Sequence, residues 1–413
     1  MNPMRRSQRR PGENTRTVHL PSPPLPRQVP IGLPVWRTAS WSFESSGEYA
    51  DVLSGRIPGF AYSRIDNPTV AAFAAGVAAL EGAAAPDDVS GEAFPSGMAA
   101  INTVFMTFLR AGAHVVAPAP VHGGTYALLT DVLSRFGVTV DFVDYSDLRR
   151  VHSVVRSATK ILYAEALAHP TMTVADLRGL YRIAREAGAL LVVDSSTATP
   201  VVCRPLEHGA DLVVHSATKY LGGHDDSSGG VVVGRHDLMA QIRSVRVATG
   251  GSLSPDDAFL LHRGLETLTL RVRRMCATAM ELAAAIARHP AVRRVDYPGL
   301  PGHPAHQLAR HVFDAGPEGT RFGACLTVIP HGGYAAGMRL ADGLRLAEIA
   351  SSVGGTHTKV THLASVVRSD EALSGVDAGA VRFSIGLEDA GDLIMDVTQA
   401  LDALSRSTSP ARG

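Results

Sequence analysis

Asp211-Leu212-Val213-Val214-His215-Ser216-Ala217-Thr218-Lys219 is the stretch on which the fold turns. Residues 211–215, centred on the apolar Leu212-Val213-Val214 with its β-branched valines, are too short for a helix and suit a buried strand. Lys219 then stands just past a strand end. Hydroxyls precede it by one and three residues, and Tyr220-Leu-Gly-Gly-His224 follows. In α/β sheets, ligands gather beyond the carboxyl ends of strands. A lysine so placed binds a phosphate or attacks a carbonyl, and pyridoxal phosphate (PLP) is a cofactor that needs both a lysine and a phosphate cradle. The plain alternative is a surface lysine after a strand, and the rest of the chain has to decide between them.

Outward from this stretch, strands and helices alternate. Segments 114–117, 138–142, 160–164, 190–193 and 230–233 read as strands, with helical stretches near 125–136 and 174–186. The alternation predicts an α/β fold: a largely parallel sheet with helices on both faces. Earlier helices begin at Asn67-Pro68 and at Ser96-Gly97-Met98 and run to about Leu80 and Leu109. Residues 31–60, with scattered Pro, Gly and Ser, read as an extended arm. Past Asp257 a long helical tract reaches Arg288, and a smaller α/β region follows, closing with an amphipathic helix over 392–404. The expected division is therefore 1–60 (extension and arm), 61–256 (large domain) and 257–413 (connecting helix and smaller domain). The chain lacks GxGxxG and GxxxxGK[ST], which argues against a Rossmann dinucleotide site or a P-loop.

The 413 residues are 45% hydrophobic and 19% charged, with formal net charge zero, ample for a large core and unsuited to nucleic acid or an anionic membrane as main partner. Cys203, Cys276 and Cys325 lie far apart without CxxC spacing, which suggests reduced thiols in a cytoplasmic protein and no metal site. No run is long and apolar enough to span a bilayer. Residues 1–27 are rich in Arg and Pro without an apolar centre, an unstructured extension rather than a secretory signal; a basic nucleic-acid-binding arm is the alternative.

Other residues are placed for chemistry. Asp194 ends the apolar run 190–193 and can keep a pyridine nitrogen protonated; its ordinary alternative is a cap or turn. Ser96-Gly97-Met98 at a helix start offers backbone N–H groups and the positive dipole end to an anion, or is simply a cap. Tyr62 and Arg64 precede the helix that starts at Pro68, and a guanidinium can fork onto a phosphate. Arg382, inside the strand-like Val381-Arg-Phe-Ser-Ile-Gly386, needs a partner, and a substrate carboxylate is one candidate.

These pieces, in order, resemble the Cys/Met-metabolism family of PLP-dependent enzymes, which includes cystathionine γ-synthase, methionine and cystathionine γ-lyases and O-acetylhomoserine sulfhydrylase. The resemblance runs from about Arg16 to Leu404. It rests on Tyr62-Ser-Arg-Ile-Asp-Asn-Pro-Thr69, Ser96-Gly-Met-Ala-Ala-Ile101, Val192-Val-Asp194, His215-Ser-Ala-Thr-Lys-Tyr-Leu-Gly-Gly-His224, Leu253-Ser-Pro255, Arg263-Gly-Leu-Glu-Thr-Leu268 and Val381-Arg-Phe-Ser-Ile-Gly-Leu-Glu-Asp389. It implies a fold-type I PLP-dependent transferase, with a large, mostly parallel seven-stranded-type sheet domain and a smaller C-terminal α/β domain. It implies that Lys219 is the Schiff-base lysine and proton carrier, and that Asp194 partners the pyridine nitrogen. Gly97, Met98, Ser216 and Thr218 would hold the phosphate. Tyr62 and Arg64 would reach the phosphate of a neighbouring subunit in a dimer of dimers. Arg382 and Ser352 would grip the α-carboxylate of a small amino-acid substrate.

Around the ring and substrate the chain departs from the family. His122-Gly-Gly-Thr125 stands where the family has Tyr-Gly-Gly-Thr, so His122 would inherit ring stacking and proton transfer. His169-Pro-Thr171 replaces Asn-Pro-Thr, placing His169 by the ring's phenolate oxygen. Ser195-Ser-Thr197 follows Asp194, and the late motif reads Ser352-Val-Gly-Gly-Thr-His357-Thr358. Such clustering suggests a specialised substrate. The expected reaction is γ-replacement on an activated homoserine or related sulfur amino acid. The alternative is a γ- or β-lyase releasing a 2-oxo acid and ammonia, slightly weakened by Gly124 where methionine γ-lyases tend to carry cysteine. A non-catalytic scaffold is disfavoured by the retention of Lys219 and Asp194.

Overall fold

The computed structural model describes residues 29–82, 88–366 and 376–408. The expected N-terminal extension falls outside them. Seven strands form the larger sheet: β1 (Val89–Phe94), β2 (His114–Pro118), β3 (Thr139–Val143), β4 (Thr159–Glu165), β5 (Leu190–Asp194), β6 (Leu212–Ser216) and β7 (Gly230–Arg235), in the order β1-β7-β6-β5-β4-β2-β3. From β3 to β6 all pairings are parallel; β7 runs antiparallel to β6 and β1 antiparallel to β7. The central strands β4 to β7 carry apolar runs because both faces are covered. Val116, Leu162, Val213 and Val233 enter one core cluster, and Val115, Ile161, Val214 and Val232 enter another on the opposite face.

A second sheet comprises β8 (Val292–Asp296), β11 (Cys325–Pro330), β12 (Glu348–Ile349), β13 (Lys359–His362) and β14 (Val381–Ser384); a small hairpin, β9 (Ala315–Gly316) and β10 (Gly319–Thr320), lies between its first two strands in the chain. Its order is β12-β13-β14-β11-β8. Val328, Val360, Val381 and Phe383 pack with Leu393, Val397 and Leu401 of helix Ala390–Thr408 in a third core cluster. Alternation turns Lys359, Thr361, Arg382 and Ser384 to the other face.

Four details differ from the sequence expectation. Strand β1 was not expected; it is an edge strand, half-exposed over most of its length and punctuated by Ser90, Gly91 and Glu92. Helix Ser46–Leu53 interrupts the arm, capped by the Ser45 hydroxyl and burying none of its residues. The helical stretch near 125–136 is α-helical only over Gly123–Ala127, then widens to a π turn and tightens to a 3₁₀ turn. The long tract past residue 255 is two helices, Pro255–Glu266 and Leu268–Ile286, meeting at Thr267.

Candidate active site

Strands β4, β5 and β6 are parallel neighbours, so Glu165, Asp194 and Ser216 end them on one edge of the sheet. Helix Gly97–Phe108 starts at the same edge, with the Ser96 hydroxyl accepting the N–H of Ala99. Gly97 lies so close to β6 that a Cβ there would stand 2.6 Å from Ser216 Cβ; only glycine lets the helix start meet the strand end. These elements and the polar face of the small sheet enclose a cavity of about 280 Å³. It brings together Gly97, Met98, His122, His169, Asp194, Ser216, Thr218, Lys219, Ser352 and Arg382, ten of the twelve residues singled out in the sequence.

Lys219 lies one turn past β6, its N–H donating to Ser216 O at 3.1 Å. Its Nζ donates to Ser352 Oγ at 2.7 Å. Burial, then Arg382 and Lys359, hold its ammonium below the usual lysine range, against the pull of Asp225 and Asp194. Thr218 Oγ1 accepts from Gly229 N at 3.0 Å, and Ser216 N donates to Ser196 Oγ at 2.6 Å. Asp194 is held at both oxygens: Oδ1 accepts Ser196 N at 2.9 Å and Oδ2 accepts the Tyr163 hydroxyl at 3.1 Å. One strand over, Glu165 Oε1 accepts His122 N at 2.8 Å. Burial, then Asp194, pushes the Glu165 pKa up to about 8, so at neutral pH it is a neutral acid beside Asp194.

The His122 and His169 rings lie edge-to-face, centroids 6.5 Å apart at 71°. Burial lowers both pKa values. At His122 the pull of Asp194 opposes this and Lys219 and Arg382 reinforce it; at His169 Arg382, His122 and Lys219 all push the same way. Both imidazoles are therefore uncharged at neutral pH. A Cβ at Gly124 would stand 3.0 Å from His122 Cε1 and 2.8 Å from Met98 Sδ, so the missing side chain makes room for the imidazole.

Arg382 reaches the cavity from the small sheet and is 7% exposed. Its Nη2 donates to Ser352 O at 3.0 Å and to Thr361 Oγ1 at 2.9 Å, while its Nε is buried with no partner. Among the described residues no carboxylate pairs with it. Such a cation is poised for an anion. Ser352 joins the two cations, its carbonyl on Arg382 and its hydroxyl on Lys219, from a left-handed backbone at φ 79°. Tyr62 and Arg64 do not reach this cavity. Tyr62 is 45% exposed, and the Arg64 guanidinium lies 5.8 Å from its ring centroid and donates to Val247 O at 2.7 Å.

The residues present fit PLP. A helix start without intrahelical acceptors for its first N–H groups and two hydroxyls suit a phosphate, Asp194 suits a ring nitrogen and Lys219 an aldehyde carbon. Glu165 and Tyr163 were missed in the sequence, and Ser196 stood out only as part of Ser195-Ser-Thr197, without a role. Glu165 carries the signal that singled out Asp194, an acid ending an apolar strand; nothing local marks Tyr163 or Ser196.

The sequence pattern of the Cys/Met metabolism PLP-dependent enzymes matches residues 14–402. L-methionine gamma-lyase of Pseudomonas putida is 40% identical over 97% of this chain and 100% of its own. O-succinylhomoserine sulfhydrylase of Pseudomonas aeruginosa is 37% identical, over 90% of this chain and 91% of its own. The crystal structure of cystathionine gamma synthase from Xanthomonas oryzae pv. oryzae, in complex with aminoacrylate and cysteine, superposes with TM-score 0.83 at 33% identity, covering 91% of this chain and 94% of that one.

Proposed function

Because the chain belongs to the Cys/Met metabolism family of PLP-dependent enzymes, we propose that it breaks the bond between Cγ and a heteroatom in a γ-substituted L-amino acid and installs a nucleophile there. The observation that carries this is the pairing of Lys219 with an unneutralised, buried Arg382 through one residue, Ser352. Arg382 takes the α-carboxylate through its free N–H edge, which points the Cα–H toward Lys219. PLP, when bound, supplies an electron-poor ring into which electrons from the substrate's α-carbon drain. Asp194 holds the proton on the ring nitrogen that keeps it electron-poor. Gly97 and Met98, at the positive helix end, and the Ser216 and Thr218 hydroxyls hold the phosphate. The Lys219 amine would take the α-proton and then a β-proton, so that the γ-substituent leaves Cγ with its bonding electrons and a proton; the nucleophile gives up its own proton as it bonds to Cγ, and protons return to the β- and α-carbons. His122 would lie against the ring and relay protons, and His169 would lie by the ring oxygen.

Tyr62 and Arg64, exposed in their own chain, complete the phosphate site of a neighbouring subunit in a dimer of dimers. Residues 61–256 serve as the cofactor domain and 257–413 as the smaller domain, with 1–60 as extension and arm.

A second reading, γ-elimination to a 2-oxo acid and ammonia, is favoured by the 40% identity to an L-methionine gamma-lyase. Incubating the holoenzyme with O-acetylhomoserine, O-succinylhomoserine, cystathionine and L-methionine, with and without a thiol, decides. Thioether products made at the expense of 2-oxo acid support replacement. The same 2-oxo acid yield with and without thiol supports the lyase. Turnover of none of the four sinks both.

A further inference from the structure

Six residues past Lys219, Asp225 adopts a left-handed backbone, φ 59°, which Asp tolerates better than most side chains. Its carboxylate pairs with Nζ of Lys359, a lysine only 6% exposed on β13 of the small sheet. A buried ammonium demands such a partner. Lys359 lies opposite Ser384 and shares its strand face with Thr361, which lies opposite Arg382 and holds it. The charge pair thus ties the lysine loop of one sheet to the face of the other that carries the carboxylate-binding arginine.

Between the two lies the turn 352–355. Gly354, at φ 86°, rests on the lysine loop: a Cβ there would stand 2.6 Å from Tyr220 N and 2.9 Å from the Lys219 carbonyl carbon. A Cβ at Gly355 would run into the Asp225 carboxylate and stand 2.8 Å from Lys359 Nζ. The turn is fixed on its own side by Gly354 N donating to Ser384 Oγ at 3.0 Å, and further on by Thr358, whose N–H and hydroxyl both donate to Glu388. We propose that Asp225 and Lys359 are a positioning pair: by clamping the lysine loop against the turn 352–355, they set where Ser352 holds the Lys219 amine and the Arg382 guanidinium. This rests on the reaction proposed above. The pair touches neither cofactor nor substrate; its two charges act in opposite directions on Lys219, and its positioning role is exerted through Ser352.

The test is exchange of the α-proton of L-methionine in deuterium oxide by the holoenzyme, with the thermal midpoint and the visible absorbance of lysine-bound cofactor measured alongside. Asp225→Asn keeps the left-handed backbone and removes only the charge. Asp225→Asn and Lys359→Met should each slow exchange roughly tenfold to a hundredfold, the cost of a displaced reacting group, while cofactor absorbance stays unchanged. The double variant should lose less than the product of the two, and Lys359→Arg should keep most of the activity. Added to Ser352→Ala, Asp225→Asn should have little further effect. Variants that melt earlier but exchange at the wild-type rate would show a merely structural pair and overturn the proposal, as would full additivity with Ser352→Ala. If Lys359→Met fails to fold, Asp225→Asn and Lys359→Arg carry the same decision. A wild-type enzyme that exchanges the α-proton of none of L-methionine, cystathionine, O-acetylhomoserine and O-succinylhomoserine refutes the reaction itself, and this inference with it; where L-methionine alone fails, the variants are compared on whichever of the others exchanges.

Discussion

The seven-stranded sheet meets the cavity with its carboxyl edge, whereas the five-stranded sheet meets it with a face. At the edge, groups sit where strands stop: Glu165, Asp194, Ser216 and, one turn later, Lys219. Their positions depend on where the apolar run ends and on what the following turn bonds to. On the face, Arg382 and Lys359 sit inside strands, and period-two alternation alone turns them away from the core that holds Val381, Phe383 and Val360. The edge therefore gives groups fixed by strand ends and the turns after them, suited to a cofactor that stays. The face gives long cations, and the turn 352–355 links one of them, Arg382, to Lys219 at the edge, an arrangement suited to a substrate that comes and goes.

The sharpest way to break this contrast is at the edge. Lys219→Ala is expected to abolish turnover and the visible absorbance of lysine-bound cofactor, because among the described residues no other amine lines the cavity. Activity that survives alongside the absorbance refutes the assignment. The same inactive variant, mixed with Arg64→Ala subunits that retain cofactor poorly, should regain activity after subunit exchange; no recovery argues against a site shared between subunits.

On the face, Arg382→Gln should lower kcat/KM by roughly thirtyfold to several thousandfold, corresponding to the ~2–5 kcal/mol lost when a buried charge pair is truncated. Cofactor absorbance should remain. Unchanged kcat/KM in steady-state assays would take the α-carboxylate away from Arg382.

A smaller loss is expected on the wall between edge and face. His122→Phe keeps a flat ring against the cofactor but cannot exchange a proton, which should cost roughly a hundredfold in kcat. The sign of the pH effect follows from burial. The His122 pKa lies below its ordinary 6.5, so the proton-accepting imidazole persists into mildly acidic solution and activity falls only as the pH drops through that lowered value. The Phe variant should lack that acid limb, and His122→Tyr should regain part of the rate with a shifted profile. A pH–rate profile that His122→Phe leaves untouched ends the proton-relay role.

The contrast also explains what the sequence could show. Edge residues were legible because an apolar run that stops at Asp194, or at Ser216 just before Lys219, is a local signal. Glu165 carried the same signal at the end of β4 and was passed over. Arg382 stood out as a charge in an apolar strand, but its bond to Ser352, thirty residues earlier, has no local trace. His122 and His169 drew notice only through a resemblance. That they face each other in a cavity that keeps both uncharged is tertiary information. Strand β1 and helix Ser46–Leu53 escaped for another reason. A half-exposed edge strand and a helix with no buried residue leave no hydrophobic period to read.

The three cysteines are all buried and unpaired, and Cys325 Sγ lies 3.2 Å from the hydroxyl of Tyr220, the residue after Lys219. Burial pushes each thiol's pKa up, that of Cys276 to about 12. Thiolate is therefore scarce at all three, and thiolate is the form that attacks disulfides, peroxides and electrophiles. A catalyst for sulfur amino acids built this way has no reactive sulfur of its own. Mercaptans and disulfides passing through its cavity find no thiolate partner for exchange among the protein's cysteines, and the sulfur that lines the cavity with Lys219 is the thioether of Met98, which takes no part in thiol–disulfide exchange.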